Sequence, residues 1–252
     1  MHTYNTLFIG KVHYHFKNVD STNIVLRNIL KNHKNVEGIV VSADHQTNGK
    51  GQRGNVWSDE PGTNIAMSVF LNCSFLNINE QFYLSKTISL GILDCLNDVF
   101  EESFKIKWPN DIYLDSKKLG GILIENASLQ NKINESIIGI GINVNQTVFD
   151  KGLPNPTSLK NILHKTVDQY QLIKQLWTYL EKRYLQLKNG NWKTINEDYL
   201  NNLHLFNEMA TYKIKDQIVE GTIVGIHKNG HLQVKIKQEV KSFDLKEITF
   251  CY

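Results

Sequence analysis

The sequence predicts an α+β fold, a mixed β-sheet flanked by helices and followed by a small all-β tail. Three observations carry this expectation. Strand-length and helix-length apolar patterns are interleaved without the strict strand–helix–strand alternation of a doubly wound sheet. Residues 81–100 and 167–187 keep apolar side chains at helical spacing over stretches long enough to pack on a sheet. From Glu208 onward the pattern changes to short alternating runs, which divides the chain into a large domain over residues 1–207 and a small β domain over 208–252.

Taken in order, a short strand over residues 12–16 leads to Asp20-Ser21-Thr22-Asn23, after which Ile24, Val25, Leu26, Ile29 and Leu30 share one helix face. Asp20 or Ser21 suits the cap of that helix. Residues 38–41 read as a buried strand, and the pattern then dissolves into a polar loop over residues 44–55 before a strand at 64–71. Phe82, Leu84, Ile88, Ile92, Leu93, Leu96 and Phe100 form the inward face of the next helix. Strands follow over residues 104–108, 120–125 and 136–144, with Ile112-Tyr113-Leu114 pairing through the turn at Asp115-Ser116-Lys117. Helices over 167–187 and 192–203 complete the large domain. The tail is expected to hold strands at 211–214, 218–226, 232–236 and 243–250, with Lys228-Asn229-Gly230 as a hairpin turn. There is no internal repeat and no low-complexity segment.

Composition narrows the class. The chain has 252 residues of which 41% are hydrophobic, enough for one large core or a medium and a small one. Lys and Arg total 28 against 25 Asp and Glu, and a scattered net charge of +3 is too weak for a nucleic-acid footprint. Cys73, Cys95 and Cys251 form an odd set without a CxxC pair, so neither a disulfide framework nor a zinc site is indicated, and a reducing cytosol fits best. No apolar run approaches the roughly 18 residues that cross a bilayer. His13 and His15 interrupt the start before a signal-peptide core can form. A cytoplasmic protein without membrane attachment is expected. The two histidines alternate on one strand face with no acidic partner nearby, read as surface residues, and are assigned no metal.

Several segments could carry chemistry. In Asn48-Gly49-Lys50-Gly51-Gln52-Arg53-Gly54, glycines let backbone N–H groups approach an anion while Lys50 and Arg53 supply charge. The spacing fits neither a Walker A loop nor a dinucleotide fingerprint, and a solvated surface loop explains the segment equally well when it stands alone. In Lys105-Ile106-Lys107-Trp108-Pro109-Asn110-Asp111, strand alternation puts Lys105, Lys107 and Asp111 opposite Ile106 and Trp108. A polyanion site would look like this, although an edge strand with protective lysines is the commoner origin. Trp108 is expected in the core. Gly139-Ile140-Gly141-Ile142-Asn143 admits something flat against the strand, or marks a bulge.

Together these segments occur in the order and spacing of the biotin protein ligases, and the chain resembles that family. Asp20 to Asn23, Gln46 to Trp57 (Gln-x-x-Gly-Lys-Gly-x-x-Gly-x-x-Trp), Lys107 to Asp111 (Lys-Trp-Pro-Asn-Asp), Lys118 to Glu125 (Lys-Leu-Gly-Gly-Ile-Leu-Ile-Glu), Gly139 to Asn143 and the triplet Thr157-Ser158-Leu159 carry the resemblance. It implies a catalytic domain like that of class II aminoacyl-tRNA synthetases and a C-terminal SH3-like β-barrel. It further implies two half-reactions: biotin and ATP form biotinyl-5′-AMP, and a lysine of a biotin carboxyl carrier domain then takes the biotin. Mg²⁺ would assist the first.

By the same resemblance, Ser21, Thr22, Asn23 and Gln46 would form the polar biotin pocket, with Lys50, Gly51, Gln52 and Lys118 at the biotin carboxylate. Lys50, Arg53, Trp57 and Asn143 would face the nucleotide. Lys118, Asp111 and Lys107 would be the catalytic group. Lys50 and Gln52 depart from the arginines of the best-known pattern, and Lys246 stands where the tail motif usually has glycine. The stretch before the first expected strand is too short for a helix-turn-helix domain, so no such domain and no specific DNA partner are expected. The resemblance is also compatible with a homodimer, for which the apolar strand at 136–144 is the suggested edge. A lipoate ligase, the nearest competitor, would be expected to show a Gly-Gly-Gly loop and a following His-Asp pair that this sequence lacks. A non-catalytic biotin or nucleotide binder would not need Lys118.

Overall fold

In the computed structural model, which describes residues 5–32 and 36–251, the strands gather into two sheets. The larger contains β1 (His13–Val19), β2 (Val40–Gln46), β3 (Ile65–Asn72), β4 (Lys105–Lys107), β5 (Asp111–Leu114), β6 (Lys117–Leu129) and β7 (Lys132–Ile142). Their order is β1-β2-β3-β7-β6-β5-β4. β1 and β2 pair in parallel across the crossover helix α1 (Thr22–Leu30), and the remaining neighbours are antiparallel, so the sheet is mixed. β7 is paired on both sides, by β3 and β6, because its run of isoleucines belongs in the middle of a covered sheet. It therefore offers no free edge, which overturns its expected role as an edge-to-edge dimer contact.

The two sheet faces are covered unequally. On one, α1 lays Leu26 over Ile39, Val41, Phe70 and Ile137. On the other, α2 (Gln81–Val99), α4 (Gln169–Lys188) and α5 (Trp192–Asn201) bury the main core, to which Leu84, Ile88, Leu176, Leu180 and Tyr199 contribute. Close crossing of α2 and α4 depends on Gly91, where a Cβ would sit 3.1 Å from the Leu180 backbone. A short helix absent from the sequence reading, α3 (Leu159–Leu163), follows Ser158, whose hydroxyl caps it by accepting from the Asn161 N–H.

The second sheet, β8 (Met209–Ile214), β9 (Gln217–Ile226), β10 (Leu232–Ile236), β11 (Glu239–Phe243) and β12 (Thr249–Cys251), runs β11-β10-β9-β8-β12 and is antiparallel throughout. The expected strand at 243–250 is in fact the end of β11 and the start of β12, separated by a turn in which Lys246 has φ 75°. Tyr212, Ile223, Leu232, Val234 and Phe243 of this sheet join the same core as the helices of the large sheet. Burial of one continuous apolar surface thus holds the tail against the segment around β4 and β5.

Lys86 of α2 is only 3% exposed, its Nζ donating to Asn196 Oδ1 at 2.6 Å and lying 4.9 Å from the Tyr83 ring centroid. Burial lowers its pKa from 10.5 to about 8. Because the folded state binds this proton less tightly than the unfolded chain, stability should rise as pH increases from about 8 to 10.5. The change attributable to Lys86 is about 3 kcal/mol. Chemical denaturation of wild type and Lys86→Met at both ends of that window should show this extra slope in the wild type alone.

Candidate active site

A cavity of about 190 Å³ opens where α1, β2, β6, β7 and the 107–111 turn converge. Its walls bring together Ser21, Thr22, Asn23, Gln46, Lys50, Gly51, Gln52, Trp57, Lys107, Asp111 and Lys118, which lie far apart in sequence. Ser21 sits at the N-cap of α1, but its side chain makes no capping hydrogen bond. The Thr22 N–H donates to Gln46 Oε1 at 2.9 Å, and Ser68 Oγ lies 2.7 Å from Thr22 Oγ1 and 2.5 Å from Asn23 Oδ1. Ser68 is fully buried and was missed in the sequence reading. Its one signal is a lone hydroxyl inside the apolar run of β3.

Lys118 and Asp111 form an ion pair, Nζ to Oδ1 at 2.7 Å, with side chains 30% and 16% exposed. Cross-strand pairing sets Asp111 opposite Gly121, so those two share a face. Lys118 is three residues from Gly121 and would point to the other face of a regular strand. The register of β5 and β6 shifts between Ile112 and Tyr113, and that bulge restores Lys118 to the side of Asp111. A Cβ at Gly121 would stand 3.4 Å from Asp111 Oδ1 and 3.6 Å from Lys118 Nζ, so glycine leaves the pair room.

Lys107 pairs with Asp111 across the β4–β5 turn, and Asn110 clamps this turn to β6 by donating from Nδ2 to the Ile122 carbonyl at 2.6 Å. The Lys107 ammonium lies 4.9 Å from the Tyr113 ring and 5.0 Å from the ring of Phe250 in β12. Burial pushes its pKa below the ordinary lysine value; Asp111 opposes that shift and Lys118 adds to it. Trp108 is 4% exposed as expected of a core residue, yet it also lines the cavity, and its Nε1–H donates to the Gly230 carbonyl at 2.8 Å.

The polar loop is a small finger rather than an unstructured stretch. Trp57 N donates to the Gly49 carbonyl at 3.0 Å, Lys50 bridges Val56, and Gly51 N donates to the Asn55 carbonyl at 2.7 Å. Gly49 must lack a Cβ because one would lie 2.3 Å from the Trp57 carbonyl. Behind the finger, Cβ atoms at Gly139 and Gly141 would lie 2.6 Å from Asn23 Oδ1 and 2.5 Å from the Trp57 ring. These glycines accept something flat, as the sequence allows: an amide and an indole of the protein itself.

Two of the expected nucleotide-facing residues are not on the cavity wall. Arg53, at the finger's tip, turns outward to Asp244 Oδ2 and the Leu245 carbonyl, each at 2.7 Å. Asn143 is buried and donates from Nδ2 to the Thr157 carbonyl at 2.9 Å. The Thr157 N–H in turn donates to the Lys118 carbonyl at 2.8 Å, and Lys118 N donates to the Asn155 carbonyl at 2.7 Å. Asn143 and the Thr157-Ser158-Leu159 triplet thereby brace the strand that carries Lys118. Leu245, from the C-terminal segment, lines the cavity and had no sequence signal.

His13 and His15 differ from expectation. His13 Nε2 and His15 Nδ1 lie 2.8 and 2.9 Å from Ser42 Oγ, and His15 Nε2 is 3.1 Å from Asp44, an acidic partner brought in by parallel β2. His13 also packs edge-on against Trp177, so it is half-buried rather than a surface residue. Among the described residues no group of three or more His, Cys, Asp or Glu side chains could hold a metal ion. No helix among them is long and apolar enough to cross a membrane.

A mixed sheet with helices on both faces, a glycine-rich finger and a lysine–aspartate pair in one polar cavity define an α+β protein with a site suited to a small anionic ligand. The chain belongs to the Biotin/lipoate A/B protein ligase family, whose sequence pattern matches residues 15–143. It is 32% identical over 160 residues to the bifunctional ligase/repressor BirA of Bacillus subtilis, covering 62% of this chain and 48% of that protein. To the biotin–[acetyl-CoA-carboxylase] ligase of Mycobacterium tuberculosis it is 29% identical over 174 residues, 68% of this chain and 63% of the relative. The chain thus spans about half to two thirds of these relatives' length. The solved biotin protein ligase from Aquifex aeolicus in complex with biotin and ATP superposes with a TM-score of 0.78 at 25% identity, over 95% of this chain and 98% of that one.

Proposed function

We propose that this chain is a biotin protein ligase that activates biotin with ATP to biotinyl-5′-AMP and transfers the biotin to a lysine of a biotin carboxyl carrier domain. The observation that carries this reading is the Lys118–Asp111 pair, held at 2.7 Å in the cavity that also holds the Ser21, Thr22, Asn23 and Gln46 cluster and the glycine finger. Its support is membership of the family and similarity to the Aquifex aeolicus ligase, which binds both biotin and ATP.

In the first half-reaction a biotin carboxylate oxygen attacks the α-phosphorus of ATP, and the bond to the pyrophosphate oxygen breaks. Negative charge builds between two anions, and Lys118 would be the cation that stabilises it. Lys50, with the backbone N–H groups of Gly51 and Gln52, would hold the carboxylate. Trp57 would face the nucleotide. Thr22, Asn23 and Gln46 supply the hydrogen-bonding groups that a ureido ring requires. Among the described residues Asp111 is the one carboxylate on the cavity wall, so Mg²⁺ would be carried chiefly by the oxygens of the nucleotide's phosphates. In the second half-reaction the carrier amine attacks the carbonyl carbon of the mixed anhydride and AMP leaves. Asp111 would orient that amine, and Lys107 adds positive charge beside the departing phosphate.

Exchange of labelled pyrophosphate into ATP tests this directly. Label should enter ATP when biotin is present and not when lipoate replaces it. Lipoate-dependent exchange, or none with either acid, would overturn the proposal.

A further inference from the structure

Glu125 closes the Lys-Leu-Gly-Gly-Ile-Leu-Ile-Glu segment on β6, outside the cavity wall, and the roles above leave it unused. Its Oε2 accepts from Asn23 Nδ2 at 2.6 Å and lies 3.1 Å from Nη2 of Arg27, one turn further along α1. A carboxylate only accepts, so the atom of Asn23 that faces it must be the amide nitrogen. Asn23 Oδ1 is thereby left toward Ser68 Oγ at 2.5 Å, and it lies 2.6 Å from where a Cβ of Gly139 would stand. Asn23 is 2% exposed, and turning its amide over would set its oxygen against Glu125 and its nitrogen against Ser68.

We infer that Glu125 is a positioning residue for biotin recognition: anchored by Arg27, it fixes which way the Asn23 amide presents its donor and acceptor to the cavity. The inference rests on the biotin reading for its ligand, but the orientation of Asn23 does not. The Arg27–Glu125 pair is half-exposed, at 47% and 31% of the side-chain surface, and contributes through geometry rather than as a strong ion pair. What Glu125 supplies is polarity: with glutamine in its place, the amide at position 125 can present either end, and both orientations of Asn23 become tolerable.

Two measurements test this. In the ligand-free protein, the Asn23 side-chain amide signal in a ¹H–¹⁵N spectrum, identified by its loss in Asn23→Ala, should move in Glu125→Gln. In pyrophosphate exchange, Glu125→Gln should raise KM for biotin about tenfold while kcat and KM for ATP stay within about twofold. Arg27→Met should shift KM for biotin the same way by a smaller factor, and Arg27→Lys should restore it. Because Glu125 acts through Asn23, adding Glu125→Gln to Asn23→Ala should cost nothing further. An unmoved amide signal, equal rises in both KM values, or full additivity in the double variant would overturn the inference. An amide shift in a protein lacking biotin-dependent exchange would support the positioning role and overturn the biotin reading instead.

Discussion

Lys118→Met is expected to lower biotin-dependent exchange of pyrophosphate into ATP by at least about 100-fold, as loss of a charge that stabilises the transition state should. That factor corresponds to about 3 kcal/mol of barrier. Methionine keeps the unbranched apolar stem of the lysine out to Cε, and the backbone on both sides stays clamped, Lys118 N by the Asn155 carbonyl and its carbonyl by Thr157 N–H. The variant should therefore fold, with a circular dichroism spectrum matching wild type. Lys118→Arg should recover only part of the rate, because a guanidinium fork does not reproduce the ammonium's point charge in the space that Gly121 leaves. Near-normal exchange in Lys118→Met would remove Lys118 from the catalytic group.

The second large effect is expected from Gly141→Val. A Cβ there would lie 2.5 Å from Cε2 and 2.6 Å from Cζ2 of Trp57, closer than any real side chain tolerates. A backbone retreat of Trp57 would carry the glycine finger with it, because its N–H is bonded to the Gly49 carbonyl and its own carbonyl fills the space beside Gly49. Shifting the finger moves Lys50, Gly51 and Gln52 relative to Lys118. A displacement of about an ångström at such a site costs on the order of 100-fold in rate. Exchange should fall by that order and tryptophan fluorescence should change. Gly152→Ala, where nothing lies within 4 Å, is the matched control and should leave both unchanged. Full activity with unaltered fluorescence in Gly141→Val would mean that Trp57 does not set the finger's position.

Much of the fold was legible because single-element patterns are local. The apolar spacing of α2 and α4 and the isoleucine run of β7 each report burial along one element, and each element formed where its pattern lay. Boundaries were less legible where polar residues continue an element. β2 runs on to Gln46, and the β6–β7 hairpin reaches out to Leu129 and Lys132, because ladder hydrogen bonds are indifferent to side-chain polarity. The strand expected at 243–250 failed for the opposite reason: its apolar residues belong to two strands on opposite edges of the second sheet.

By itself, the sequence determined the α+β class, the family, and most of the polar groups that line the cavity, since residue type and local spacing are written directly in the chain. Only the tertiary structure decided how those groups face one another. Lys118 meets Asp111 because of a bulge in the pairing of β5 with β6, and no pattern within β6 records its partner's register. Arg53 turns from the cavity to Asp244, 191 residues away, and Glu125 reaches Asn23 across 102. Such contacts depend on how distant strands are ordered and aligned, and that alignment is set by the burial of the whole sheet rather than by any segment's own periodicity.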